Sequence, residues 1–419
     1  MIKRLSGLVL ALAFAVPIGG ASVAAQTGAP IEGACDPGRV RQDVKSLTSD
    51  QKAAIVDAMH AMKAMASPYD KRYTYYDQFV RWHQMAVMVS TSNDGVGIAH
   101  HNPAFPPWHR KFLWLFENGL CKASGDPTLA LPYWDWTDPS STAATFADDF
   151  MGPGGERENG YVVTEGPFNR DVWQLNILPS SPSDLAASPQ KFLVRALGVD
   201  TASATQLLLP TIANVIATME QTTYDTAPWG VNSAGSFRAT LEGWVLDRAT
   251  GVVDPDKHAM HNVVHEWVGG VFYVSPGTGE LIEQRGTMTD LDVSPGDPLF
   301  FLHHANIDRV WASWQVDHPG PDNYLPIGGA DECPFASEDD VGPGASFPKV
   351  LDEAHVSMTA HHTDEGPWPG QRLDDQMYPF CLERYEGTLV HEQESPLAQL
   401  DISAQGFTYE DLYTIPSTG

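Results

Sequence analysis

The chain of 419 residues carries 53 acidic against 25 basic side chains, a formal charge of −28, and 42% of its residues are hydrophobic. That apolar content excludes disorder along the whole chain, and the acidic balance argues against nucleic acid as a partner, because phosphates call for clustered Lys and Arg. Four cysteines are too few to define a fold by cross-links, whereas fifteen histidines are an informative excess.

Taken in chain order, Met1–Ala25 reads as a secretory signal. Lys3 and Arg4 form a charged start, Leu5–Ile18 is an apolar run, and Val23-Ala24-Ala25 supplies small residues for cleavage. The run is shorter than the roughly 20 residues a membrane span needs, and no second long apolar stretch follows. The expected location is therefore secreted or periplasmic, with no membrane span in the mature chain. In such an oxidising compartment cysteines pair. Four allow three pairings, and sequence order favours Cys35–Cys121 and Cys333–Cys381.

Gln51–Leu120 reads as helix-rich, with apolar residues at helical spacing and few breakers before Asn93-Asp94-Gly95. Asp138–Ala234 is loop-heavy, with helices predicted around Pro189–Leu197 and near Ala213–Gln221. Phe237–Gln315 returns to helical patterning. Val316–Gly419 is rich in Pro and Gly and acidic; its stretch Asp331–Glu394 holds 15 acids and 3 bases. No repeat and no clean linker appears, so one domain is expected over residues 26–419, with a core at 50–318 and a wrapped C-terminal segment at 319–419.

Four predicted helices carry a histidine on their apolar face. His83 shares a stripe with Phe79, Ala86 and Val87; His109 precedes Phe112, Leu113 and Phe116. His261 and His265 stand at i and i+4 beside Val264 and Val268, and His304 aligns with Ile307, Asp308 and Trp311. One buried histidine is ordinarily a satisfied core residue. Several together would each leave a polar nitrogen dry, at roughly 1–3 kcal/mol per group, and a shared metal removes that cost.

The absence of any ExxH sequence argues against a carboxylate-rich di-iron bundle. His261-Asn262-Val263-Val264-His265 resembles the zinc-peptidase pattern HExxH, but Asn262 stands where the general base would be. An all-imidazole set suits copper better than zinc or nickel, and six such ligands would hold two coppers, three on each.

The segment His100-His101-Asn102-Pro103-Ala104-Phe105-Pro106-Pro107-Trp108-His109-Arg110 resembles the copper A signature of the tyrosinase family, as does the following Pro132-Tyr133-Trp134-Asp135-Trp136. His261–Gly270 is similar to the start of its copper B region, and Asp297–Arg309 to its close. The resemblance covers about residues 78–315, with Asp375–Phe380 and Gly406–Tyr409 similar to the end of the family's central domain. It implies a mainly α fold, with an antiparallel four-helix bundle holding a dinuclear copper site, long loops and an irregular C-terminal segment. It also implies His83, His100 and His109 as copper A ligands and His261, His265 and His304 as copper B ligands. Within the doublets, family spacing places one ligand nine residues before the histidine of Trp108-His109-Arg110 and another four before Asp308, which selects His100 and His304. His101 and His303 then read as supporting residues.

The same resemblance implies an oxidase that uses O2 on small phenols, turning o-diphenols into o-quinones and hydroxylating monophenols in the ortho position. A copper-delivery partner is also expected. Phe237–Trp244 resembles the family stretch whose glutamate, with the Asn after the first copper B ligand, holds a water, so Glu242 and Asn262 become candidates for orienting the base. Two departures qualify the likeness. Glu242 lies nineteen positions before His261, more than the family's usual stretch, and a solvated helix position for Glu242 stays open. No cysteine lies between Cys35 and Cys121, so the thioether some relatives form to the second copper A histidine is excluded; Ile98 fills that place. His258, His361 and His362 read as solvent-facing. A catechol oxidase acting on diphenols only, an o-aminophenol oxidase, a hemocyanin-like O2 carrier and a zinc hydrolase are the competing readings.

Overall fold

The computed structural model describes residues 35–88, 97–179, 191–200, 207–230, 233, 235–243, 246–247, 252–253, 260–274, 282–329, 367, 370–382, 384–385, 388–389 and 394–416. The signal segment, Cys333, His258, His361 and His362 lie outside these residues.

A short strand β1 (Arg39–Arg41) leads into helix α1 (Ser49–Ala64). Thr48 starts α1 by a reciprocal cap: its hydroxyl accepts from the Gln51 amide, and the Gln51 side chain accepts in return. Helices α2 (Tyr75–Met88) and α3 (Phe105–Ser124) follow. Pro106 and Pro107 suit the first turn of α3, where amides lack partners anyway, and Gly125 ends it in the left-handed conformation, φ 71°. Short helices α4 (Pro139–Thr145), α5 (Ile212–Met219) and α6 (Phe237–Glu242) come next. A small antiparallel pair, β2 (Leu246–Asp247) and β3 (Val252–Val253), precedes α7 (His261–Gly269). The hairpin β4 (Val271–Val274) and β5 (Ile282–Arg285) separates α7 from α8 (Leu299–Asp317). Beyond α8 come β6 (Arg384–Tyr385), β7 (Thr388–Leu389) and β8 (Phe407–Tyr409).

The fold is mainly α, as expected, and among the described residues the strands form only two-stranded pieces. Helix α3 is buried from Phe105 to Cys121 except at Trp114, and α8 is buried from Leu299 to Trp314. Phe79 of α2, Phe112 and Phe116 of α3 and Phe301 of α8 interlock, Phe116 stacking on Phe301 with centroids 3.4 Å apart. Each such ring contributes about 1.5–3 kcal/mol on leaving water. Because the ligand-type histidines stand one turn from these rings, the same packing that forms the core sets the imidazoles.

Two expectations meet the structure at the chain ends. Cys35 and Cys121 form a disulfide, Cα atoms 5.4 Å apart, tying the start of the chain to α3. Cys381 is also disulfide-bonded. The C-terminal residues lie against the helices: β8 runs parallel to β1, with Arg39 opposite Phe407, and Trp108 and Arg110 donate to the carbonyls of Tyr378 and Gln399. Asp308 of α8 accepts from Arg110 of α3, Arg41 of β1 and Tyr409 of β8, an ionic knot shut away from water.

The helix predicted around Pro189–Leu197 is absent from its described part. Leu193, Val194 and Arg195 are extended, Val163 and Arg195 exchanging backbone hydrogen bonds with Leu193 and Tyr161. A short buried apolar run has no period to separate strand from helix, and here pairing with a distant segment decides. The helix predicted near Ala213–Gln221 is present as α5.

Candidate metal centre

His83 projects from the middle of α2 and His109 from the first turns of α3; His100 stands on the non-helical segment that leads into α3. The three rings meet with centroids 4.9 Å (His83–His100), 5.0 Å (His100–His109) and 5.8 Å (His83–His109) apart. The His109 Nδ1–H donates to the Phe105 carbonyl at 2.8 Å, leaving Nε2 with its lone pair. That Nε2 and both ring nitrogens of His83 and of His100 are buried without a hydrogen-bond partner.

The second group is tighter. His261 opens α7, His265 is one turn later, and His304 comes from α8. The His304 Nε2 lies 3.2 Å from that of His261 and 3.1 Å from that of His265. Three nitrogens each about 2.0 Å from a single ion stand about 3.3 Å apart at tetrahedral angles, so this spacing suits one shared metal. The opposite ring edges are anchored: His261 Nδ1 to Asn262 Oδ1 at 2.7 Å, and His265 Nδ1–H to the Met288 carbonyl at 2.8 Å. Such outer bonds fix which nitrogen faces the metal. His303 lies within this cluster. Its Nε2–H donates to the His261 carbonyl at 3.2 Å, and its ring stacks on that of His261. The sequence reading gave His303 only a supporting part; its nearness to the cluster could not be seen from a doublet alone.

The two groups face each other. His109 stacks on His304 with centroids 4.4 Å apart, and His261 is 6.2 Å from His100 and 6.3 Å from His109. Phe300 stacks on His304 at 3.9 Å and meets His83 edge-on at 5.0 Å; Phe105 closes on His261 at 4.8 Å. Burial among these rings holds these histidines below the usual histidine range, reinforced for all but His265 by repulsion from neighbouring imidazoles: His109 is pushed down to about 3, and His265 to about 4 against the pull of the Met288 carbonyl and Asp297. At neutral pH the rings are uncharged and their lone pairs available, which is the form a metal needs. The donor set contains no thiolate or carboxylate, and the orphaned ring nitrogens are what a pair of copper ions would satisfy.

Glu242, at the end of α6, is fully buried, so the solvated position left open for it is ruled out. Its Oε1 accepts the His101 backbone N–H at 2.6 Å and its Oε2 accepts from Arg238 at 3.1 Å; Asp225 grips Arg238 through two further nitrogens at 2.8 and 3.0 Å. Burial pushes the Glu242 carboxyl up to about 7, against the pull of Arg238 and the His101 amide. His101 holds a left-handed backbone, φ 59°, which costs a residue with a side chain on the order of 1 kcal/mol. The Asn262 Nδ2 is buried without a partner, and among the described residues no hydrogen bond joins Asn262 to Glu242. The roles of Arg238 and Asp225 went unread in the sequence, although Arg238 precedes Glu242 by one helical turn, a spacing that signals an ion pair.

Paired all-imidazole clusters between packed helices define a dinuclear metal centre, and the comparisons with known proteins agree. The family model "Common central domain of tyrosinase" matches residues 73–317. A tyrosinase of Streptomyces antibioticus is 39% identical over 293 residues, 69% of this chain and 87% of that protein. A grixazone synthase of Streptomyces griseus is 34% identical over 316 residues, covering 70% and 90%. Among solved structures, a polyphenol oxidase variant from Thermothelomyces thermophila shares the fold, with a TM-score of 0.52, 22% identity and 89% of each chain covered. The chain belongs to the tyrosinase family. It is a copper phenol oxidase whose cofactor is a dinuclear copper pair working with O2.

Proposed function

We propose that the chain is an exported enzyme that oxidises o-diphenols to o-quinones and also hydroxylates monophenols in the ortho position. In this reading His83, His100 and His109 hold one copper and His261, His265 and His304 the other, and the bound pair supplies two-electron chemistry toward O2. The observation that carries it is the facing of two buried triads in which the ring nitrogens not anchored to Phe105, Asn262 or Met288 bond to nothing outside the triads. The protein's own part is to keep six imidazoles neutral, orient three of them through Phe105, Asn262 and Met288, and exclude water with Phe105 and Phe300. Export rests on the signal-like Met1–Ala25, and the remaining residues 26–419 form a single domain in this reading. A copper-delivery partner, in this reading, speeds loading of rings this deeply buried, while the folded chain still binds copper(I) supplied directly.

Monophenol hydroxylation needs a base for the phenolic proton. The unpartnered Asn262 Nδ2 beside His261 and the Glu242 carboxyl poised near neutrality support these two as the groups that orient a water for that step. Replacing Glu242 by Gln is expected to slow monophenol hydroxylation at least tenfold while catechol oxidation falls far less, read as initial rates of O2 uptake on each substrate. Equal losses on both would remove Glu242 from the proton-transfer role. Silence toward every diphenol with two coppers bound, accompanied by reversible O2 uptake, would favour an O2 carrier instead.

A further inference from the structure

Five of the six proposed ligands stand on helices, and three of these five also have a ring nitrogen tied to a carbonyl or amide oxygen. His100 has neither support: it lies on the segment before α3, and both of its ring nitrogens lack a hydrogen bond. The direction of its ring is therefore left to the backbone beneath it.

That backbone is clamped from two sides. Asn102 donates from Nδ2 to the carbonyls of Gly97 and His100 at 2.6 and 2.8 Å and accepts the Ala104 amide at 2.7 Å, closing the segment on itself. The peptide just after His100 is held from outside, by the Glu242 carboxylate on the His101 N–H, at the point where the chain takes a left-handed turn that a residue with a side chain resists. Glu242 is itself fixed by Arg238, which Asp225 grips and whose Nη2 also donates to the Gly230 carbonyl. Every charged side chain in this series is fully buried.

We propose that Asp225, Arg238 and Glu242 form a positioning relay for copper binding, transmitting the fixed geometry of α6 through the His101 amide to the His100 ring. Glu242 thus serves the first triad as a backbone clamp, separately from any part in proton transfer. The inference rests on the proposed ligand assignment of His100, but not on the base role of Glu242, and the two roles separate by substitution. Glutamine keeps an oxygen for the His101 amide; alanine does not. Asp225 still neutralises Arg238 in either variant, so the fold is expected to survive.

The test uses the full chain, purified without metal and reconstituted with copper(I) alone under anaerobic conditions, with copper per chain measured directly. The unaltered chain is expected to hold two coppers, and Glu242→Gln also two. Glu242→Ala should fall toward one, with at least a tenfold weaker affinity for the second ion. In the metal-free chain, amide hydrogen exchange at His101 should be slow and should accelerate more than tenfold in Glu242→Ala, while exchange across α7 stays unchanged. Two coppers held by Glu242→Ala at unaltered affinity would overturn the proposal, as would equal weakening of both sites or a fast His101 amide in the unaltered chain. An unaltered chain binding no copper would defeat the ligand assignment itself. A slow monophenol rate in Glu242→Gln with both coppers present would bear only on proton transfer.

Discussion

His261 and His265 of one helix each come within 3.2 Å of His304 from another, whereas His83 and His109 come from helices but depend on a third ring carried by a loop. The contrast is one of cost. A pair at i and i+4 is brought together by helix formation alone, so once α7 packs on α8 the second triad is complete without any further ordering. The first triad must also order residues 97–104, where no repeating hydrogen-bond ladder helps, and it does so with buried polar groups: Asn102 within the loop and Glu242 from α6. A helix-borne site is a by-product of the core; a loop-borne site has to be held by particular side chains.

The largest effect should come from breaking the tight triad. His304→Ala removes the ring whose Nε2 faces both others, so copper is expected to fall from two to one per chain and catechol oxidation to drop by more than about 100-fold, beyond what changes around a metal's direct ligands usually cause. His303→Ala is the informative partner. Its Nε2–H is engaged by the His261 carbonyl, so both coppers should remain and the rate should fall no more than about tenfold. Metal analysis beside O2 uptake decides it, and a reversed pattern would exchange the parts of the two histidines.

A smaller effect sharpens the contrast from the loop side. Asn102→Ala deletes three hydrogen bonds that close residues 97–104 without touching any ligand ring. The affinity for one copper is expected to weaken roughly 10- to 100-fold while the other is unaffected, as stepwise copper titration would resolve. If both sites weaken together, or neither does, the loop is not the separate point of weakness described above.

This division also explains how much could be read from the sequence. Helix-borne features were legible: the stripes around His83, His109 and His304 and the spacing of His261 and His265 follow from a 3.6-residue period, and the structure brings these rings together where that period puts them. Choosing within each doublet required the family's spacing; the structure gathers His100 rather than His101 with His83 and His109, Glu242 holding the His101 backbone N–H, and it places both His303 and His304 in the second cluster. The contact between Glu242 and His101 joins residues 141 positions apart, and nothing local in either segment announces it. The β4–β5 hairpin and the extended Leu193–Arg195 were likewise hidden, because strand pairing is a property of two distant segments rather than of one.

The smallest effect tests the support of α3 two turns beyond His109. Glu117 is fully buried between Arg39 and Arg41 and also accepts the Leu131 amide at 2.8 Å. Burial alone would raise its carboxyl, but the two guanidiniums and the hydrogen bonds outweigh that and hold it below 4.5, the ordinary value. The sign follows. In the unfolded chain Glu117 takes up a proton as the pH falls through about 4.5, while the folded chain still refuses it, so its contribution is complete above that pH and is lost below it, at up to about 1.4 kcal/mol per pH unit. Other carboxylates titrate in the same window, so a difference measurement is needed. Urea unfolding of the metal-free chain and of Glu117→Gln at pH 7.0, 4.5 and 3.5 should show a stability gap that is widest at pH 7.0 and still wide at 4.5. By pH 3.5 the gap should have narrowed, by at most about 1.4 kcal/mol, the ceiling set one pH unit below the unfolded value. A gap that stays constant would mean that Glu117 stabilises α3 by packing and hydrogen bonding alone, and that its charge contributes nothing to holding His109 opposite His304.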